Sequence, residues 1–197
     1  MTAWTSAHSG ALLQQRVLGV NFHHIAVENR AEVTDRLRLA AQLGTSLDPD
    51  EPDGQVPGPR VFVAFYDGYR DTGLFGAELC ADLGLRAYFF PIFASADPHR
   101  AQLSDDDLEQ IATVHELCFH STSHFAAGQV TPETVTREVL EPVERMRSIT
   151  GTTPRLAAWR GGTRFDDQTL GDRTLRDLGV RHTVSNWSIE RIPPAGG

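Results

Sequence analysis

Two rhythms of apolar and polar positions alternate along the chain. Short runs rich in β-branched and aromatic residues, at 17–22, 61–65, 86–93, 114–119, 155–159 and 180–187, read as strands. Between them, apolar residues recur at helical spacing over 31–43, 74–83, 105–113, 132–149 and 168–178. Ser104 is placed to cap the third helix with Asp107 three residues on, and Thr131-Pro132-Glu133 supplies a cap, a first-turn proline and an acid in order. Val135, Val139, Val143 and Met146 share one face of the fourth, in which Pro142 predicts a kink. Strands alternating with helices predict an α/β fold with a parallel sheet, either open and doubly wound or closed as a barrel. The connection over 47–60, with four prolines and two glycines, predicts a surface loop and not a domain boundary. A length of 197 residues predicts a single domain over 1–197.

Composition narrows the function classes. The chain has 18 basic and 26 acidic residues, a net charge of −8, and no basic block, which argues against a nucleic-acid or anionic-membrane partner. All the basic residues are arginine, so Schiff-base chemistry and a Walker-type phosphate loop are excluded. Cys80 and Cys118 are too few for a zinc cluster or a disulfide scaffold and read as buried free thiols. Gln14, Gln15 and Arg16 interrupt the only apolar stretch near the start, so no targeting segment is read there. The longest apolar run, 87–94, is far short of the roughly 20 residues a membrane span needs. The expectation is a cytoplasmic protein.

Ionisable residues follow the strands. The second strand runs into Tyr66-Asp67-Gly68, the fourth into His120-Ser121-Thr122-Ser123-His124, the fifth into Arg160-Gly161-Gly162, and the first into His23-His24. The carboxyl ends of parallel strands are where α/β folds build active sites. One carboxylate and two imidazoles at that edge, Asp67 with His120 and His124, make a facial site for zinc, cobalt, nickel or manganese. His23 and His24 read as strand-end packing, and Asp166 and Asp167 as caps of the last helix, although these and Asp71 also fall near the edge. His115 and Glu116 either support the site or pair with neighbours. His8, His99 and His182 carry no pattern.

The segments Ala-Phe-Tyr-Asp-Gly-Tyr-Arg-Asp (64–71), His-Glu-Leu-Cys-Phe-His-Ser-Thr-Ser-His (115–124) and Trp-Arg-Gly-Gly (159–162) resemble the polysaccharide deacetylase family, with its NodB-homology fold. The resemblance spans about 60–187 and assigns a NodB-like region to 60–197. It implies a distorted (β/α) barrel binding one divalent metal, zinc or cobalt before nickel or manganese, through Asp67, His120 and His124. It implies hydrolysis of a carbon–nitrogen bond to remove acetyl from an N-acetylated amino sugar. The metal would polarise the amide carbonyl and stabilise the oxyanion. Arg160 corresponds to the arginine that orients the family's catalytic aspartate, and Trp187 falls near the wall of the acetyl pocket.

Two positions depart from that pattern. Tyr66 stands where the family has its aspartate base, and an ordinary phenol is only about one part in a thousand ionised at neutral pH. The histidine acid expected beyond Trp187 is missing from the residues that follow, so the barrel is expected to be incomplete at its carboxyl end. A homo-oligomer would cover the exposed sheet edge. The alternative function is a catalytically inactive relative that binds metal or carbohydrate.

Overall fold

The computed structural model describes residues 2–4, 17–51, 58–94, 97 and 99–194, with backbone alone at 2–4. His8, residues 52–57 of the expected loop and most of the segment read for targeting lie outside the described residues. Strands β1 (Thr2–Trp4), β2 (Val17–Phe22), β3 (Thr45–Ser46), β4 (Arg60–Asp67), β5 (Ala87–Pro91) and β6 (Glu116–Leu117) form one sheet. Strands β7 (Leu156–Ala157), β8 (His182–Val184) and β9 (Ile189–Arg191) form another. A bridge from Phe119 to Ala157 continues the parallel order from one to the other. Helices α1 (Arg30–Leu43), α2 (Arg70–Asp82), α3 (Asp105–Ala112), α4 (Glu141–Thr150) and α5 (Leu170–Asp177) alternate with the parallel strands.

The α/β architecture read from the alternation is the one observed. β2 pairs β4, β4 pairs β5, β5 pairs β6, and β7 pairs β8, all parallel. The strand pattern predicts six strands, and the structure adds short β1, β3 and β9. The run expected as one strand over 180–187 instead reverses at Ser185–Ser188, where the Ser185 N–H donates to the Ser188 carbonyl, and returns as antiparallel β9.

Alternation along each strand separates two apolar layers. Val61, Val63 and Phe65 of β4 face outward with Phe89, Phe119 and Trp159, against Leu37, Leu108, Val143 and Leu175 of the helices. Phe62 and Ala64 face inward with Tyr88, Phe90, Cys118, Leu156, Ala158 and Val184, and Val17, Leu47 and Ile189 complete that layer. Inward residues contributed from β2 through β9 mean that the sheet curls around its own interior, as in a barrel. No hydrogen-bonded ladder closes β9 onto β1 among the described residues. Both cysteines are buried and free. Each fully buried aromatic ring in these layers is worth about 1.5–3 kcal/mol of transfer free energy.

The amino-terminal ends of the strands are closed by charge. Arg155 donates to both oxygens of Glu116 (3.0 and 2.5 Å), to Asp48 (2.8 Å) and to Asp50 (2.6 Å), and Arg181 also reaches Asp50. Glu116 therefore belongs to this network, and the His115 ring bonds the Ala87 N–H and the Ala77 carbonyl. Neither residue touches the opposite edge, where the candidate chemistry lies.

Ser104 caps α3 with a complete capping box. The last helix is capped by Thr169, which accepts from the Asp172 N–H; Asp166 makes a turn to Gln168 N–H instead, correcting the cap expected from Asp166 and Asp167. Pro142 acts upstream of where a kink was expected. Residues Thr136–Leu140 form a π-helix, with the Glu141 N–H reaching back to the Thr136 carbonyl, and α4 begins only at Glu141.

Candidate metal centre

Sharp turns at two strand ends aim the candidate ligands. β4 ends at Asp67 with φ 67°, followed by Gly68 at 73°. After β6 the chain reaches His120, then Ser121 at φ 63° and His124 at 57°. Asp67, Ser121 and His124 are the only non-glycine residues with positive φ among the described residues. Each such conformation costs of order 1–3 kcal/mol, and strain gathered at one place points to function.

These turns bring together ligand atoms of Asp67, His120 and His124 that all lie within 4.8 Å of one another. The Nε2 atoms of His120 and His124 stand 3.7 and 3.8 Å from Asp67 Oδ1. His120 is 2% exposed, and its Nδ1–H donates to the Ala158 carbonyl at 2.7 Å. That bond fixes the tautomer and leaves Nε2 as a lone-pair donor.

The electrostatics follow from this burial. Burial pushes the His120 imidazole down to about 4, against the opposing bond to Ala158. His124 is also lowered, first by burial and further by the charge of Arg160. Burial opposes ionisation of Asp67, yet the bond from His23 and the nearby imidazoles hold its carboxyl below the usual range. The site therefore presents one carboxylate and two neutral imidazoles.

A divalent cation fits this donor set. Asp67 Oδ1 and His120 Nε2 are buried and have no hydrogen-bond partner. Two such acceptors facing each other each carry a desolvation cost of about 1–3 kcal/mol, which a shared cation would offset. One oxygen and two imidazole nitrogens is a ligand combination that zinc and neighbouring transition metals accept.

The remaining sequence-predicted residues fall around this centre unequally. Tyr66 points into the inner layer, stacked on Phe90 at 4.7 Å and on His23 at 5.1 Å, and tilted against His120 at 5.3 Å. Burial raises its phenol well above the ordinary range, with Cys118 and Asp67 adding to the shift. The Arg160 guanidinium is exposed and donates to Gln129 Oε1 at 2.8 Å, without an ion pair among the described residues. Trp187 sits on the β8–β9 turn with 59% exposure. That turn is fastened to the glycines after Arg160, because Asn186 N–H donates to the Gly162 carbonyl and its side chain to Gly161. Glycine at 162, where φ is 63°, leaves room for this bond, because an added Cβ would lie 2.2 Å from Asn186 Oδ1 and displace that side chain.

Two contributors were not legible as such. His23, read as strand-end packing, does stack on Tyr66 and also donates from Nδ1 to Asp67 Oδ2 at 3.0 Å, with its side chain 63% exposed. Its place at a strand end was the available signal. With its amide nitrogen turned toward the β4 turn, Gln102 donates to the carbonyls of Asp67 (2.7 Å) and Gly68 (2.9 Å). Nothing in the sequence around Gln102 marks it. His24 lies 3.9 Å from Asp71, whose other oxygen accepts the Thr72 N–H, while Asp166 and Asp167 serve local turns.

The chain matches the family profile described as polysaccharide deacetylase over residues 53–182. No curated protein matches it. Among solved structures it resembles IcaB from Ammonifex degensii, at 17% identity and a TM-score of 0.68, covering 86% of this chain and 82% of that one. It resembles the Streptococcus pyogenes deacetylase PplD, at 16% identity and a TM-score of 0.67, covering 91% and 87%. A de-N-acetylase from Aggregatibacter actinomycetemcomitans is similar at 11% identity and a TM-score of 0.66, covering 91% of each chain. At these identities the likeness speaks for the fold.

Proposed function

The chain belongs to the polysaccharide deacetylase family, and from that premise we propose that it is a metal-dependent hydrolase removing acetyl from an N-acetylated amino sugar. The observation that carries the reading is the convergence of Asp67, His120 and His124 with two orphaned ligand atoms facing each other. These three residues would hold the cation, zinc or cobalt before nickel or manganese. When bound, it supplies Lewis-acid polarisation of the amide carbonyl and acidifies water. We assign the site to a single domain over 1–197, with a carbohydrate as its partner. Among the described residues no helix is long and apolar enough to cross a membrane.

The chain's own residues divide the remaining work. His23 holds a proton at Nδ1 for Asp67, and its exposed ring leaves Nε2 free to exchange a proton at the mouth of the site. Tyr66 stays a phenol at the position of the family's base and serves as a wall of the site. Arg160, which pairs with no carboxylate among the described residues, contributes positive charge beside His124. Trp187 offers an exposed apolar face at the same edge.

A second reading, an inactive relative that binds metal or carbohydrate, is favoured by the Tyr66 phenol, which burial raises well above its ordinary range at the position of the family's base. Acetate release from N-acetylglucosamine derivatives by the cobalt- or zinc-loaded protein tests the first reading. Release abolished by chelator supports hydrolysis. No release from metal-holding protein, restored by Tyr66→Asp, supports the inactive relative. No release from either protein removes the carbohydrate substrate.

A further inference from the structure

Glu138 is the least exposed carboxyl group among the described residues, at 0%. It lies inside the π-helix Thr136–Leu140, and no ligand role explains its burial. One oxygen accepts from Arg137 Nε at 2.8 Å. The other accepts the backbone N–H of Ser123 at 2.8 Å. Ser123 stands between Ser121 and His124, both in the left-handed region, so the carboxyl grips the middle of the strained turn that carries a candidate ligand.

The sequence explains why this helix can reach that turn. In the π register the Glu141 N–H bonds five residues back, to Thr136. The next donor in that register is Pro142, which has no N–H. The Arg137 carbonyl that Pro142 would serve is met by the Thr122 hydroxyl at 2.5 Å. Two successive residues of the π-helix thus bind two successive residues of the ligand turn. Single π turns inside α-helices often mark functional sites.

We propose that Glu138 is a positioning residue for the metal centre, holding the 121–124 turn so that His124 Nε2 stays within reach of Asp67 and His120. This rests on the metal reading above. The energetic logic is that a backbone strained at two residues relaxes unless the surrounding structure over-determines it. The Glu138 bond to Ser123 is made from a site where an unpaired carboxyl would be costly.

Cobalt titration of the full chain, followed by visible absorption alongside thermal melts without metal, tests the assignment. Glu138→Ala is expected to weaken cobalt binding by about 10- to 100-fold, as loss of an outer-shell partner does, and to alter the visible spectrum. Glu138→Gln keeps an acceptor for the Ser123 N–H and is expected to recover most of the affinity. A folded Glu138→Ala protein with wild-type affinity and spectrum overturns the proposal while leaving the metal reading intact. Wild-type protein that binds no cobalt removes the metal reading and this role together. If Glu138→Ala does not fold, Thr122→Val decides. Weaker cobalt binding by several-fold supports the role, and unchanged binding overturns it.

Discussion

The Nδ1 atom of His120 lies 2.7 Å from the carbonyl oxygen of Ala158. A carbonyl only accepts, so the imidazole carries its proton there. Its Nε2 lone pair then faces Asp67 Oδ1 at 3.7 Å, and neither atom has a hydrogen-bond partner. A cation held between them, as proposed, would bind the folded state and not the unfolded one. At a free metal concentration 100 times the dissociation constant, linkage stabilises the fold by about 2.7 kcal/mol. For a chain of this size that raises Tm by roughly 5–10 °C. The shift should vanish in His120→Ala, and thermal melts with and without cobalt measure it. An equal shift in the variant would place the ion elsewhere.

His23→Phe keeps a ring against Tyr66 but removes the hydrogen bond to Asp67 and the exchangeable proton. Metal affinity should fall by no more than about 100-fold, while deacetylation at saturating metal falls by about 10²–10⁴. Cobalt titration beside acetate release separates the two effects. A variant with full activity at saturating metal would leave His23 a structural partner of Asp67 alone.

Tyr66 is half-buried and stacked on Phe90, and desolvation raises its phenol well above the ordinary range, so it stays protonated at neutral pH. Tyr66→Phe should therefore change the rate of acetate release by less than about 10-fold, the lower bound for loss of a positioned base being near 10². A loss of 10² or more, with unchanged cobalt affinity, would show that the hydroxyl takes part in the chemistry.

The sequence disclosed what is local or periodic. The body of β4 was readable because apolar residues fill both of its faces, β2 because Leu18, Val20 and Phe22 fill one, and Asp67, His120 and His124 stood out because each follows an apolar run. β9 was hidden because 180–187 is apolar enough to pass for one strand, and its reversal depends on a bond between Ser185 and Ser188. Gln102 and Glu138 reach the ligand turns from 35 and 15 residues away, and no helical or strand periodicity encodes such contacts. Pro142 was noticed, but its effect, a π turn ahead of it, depends on what the Arg137 carbonyl finds across space.

The turn after β4 is also clamped from α3, which gives a pH dependence to stability. Arg70 N–H donates to the Ala101 carbonyl and Leu103 N–H to the Gly68 carbonyl. The Arg70 side chain makes paired bonds to Asp107 at 2.7 and 2.9 Å, within the capping box of Ser104. The Arg70 guanidinium, aided by Ser104, holds the Asp107 carboxyl down to about 2. An acid depressed in the folded state binds its proton first in the unfolded ensemble. Its contribution is thus complete above about pH 4, declines below that value, and is lost as the pH falls through about 2. Urea midpoints for wild type and Asp107→Asn should differ at pH 5 and converge toward pH 2. Taking the difference removes the other carboxylates that titrate over the same range. A gap that stays constant down to pH 2 would mean that Asp107 ionisation contributes nothing to the clamp.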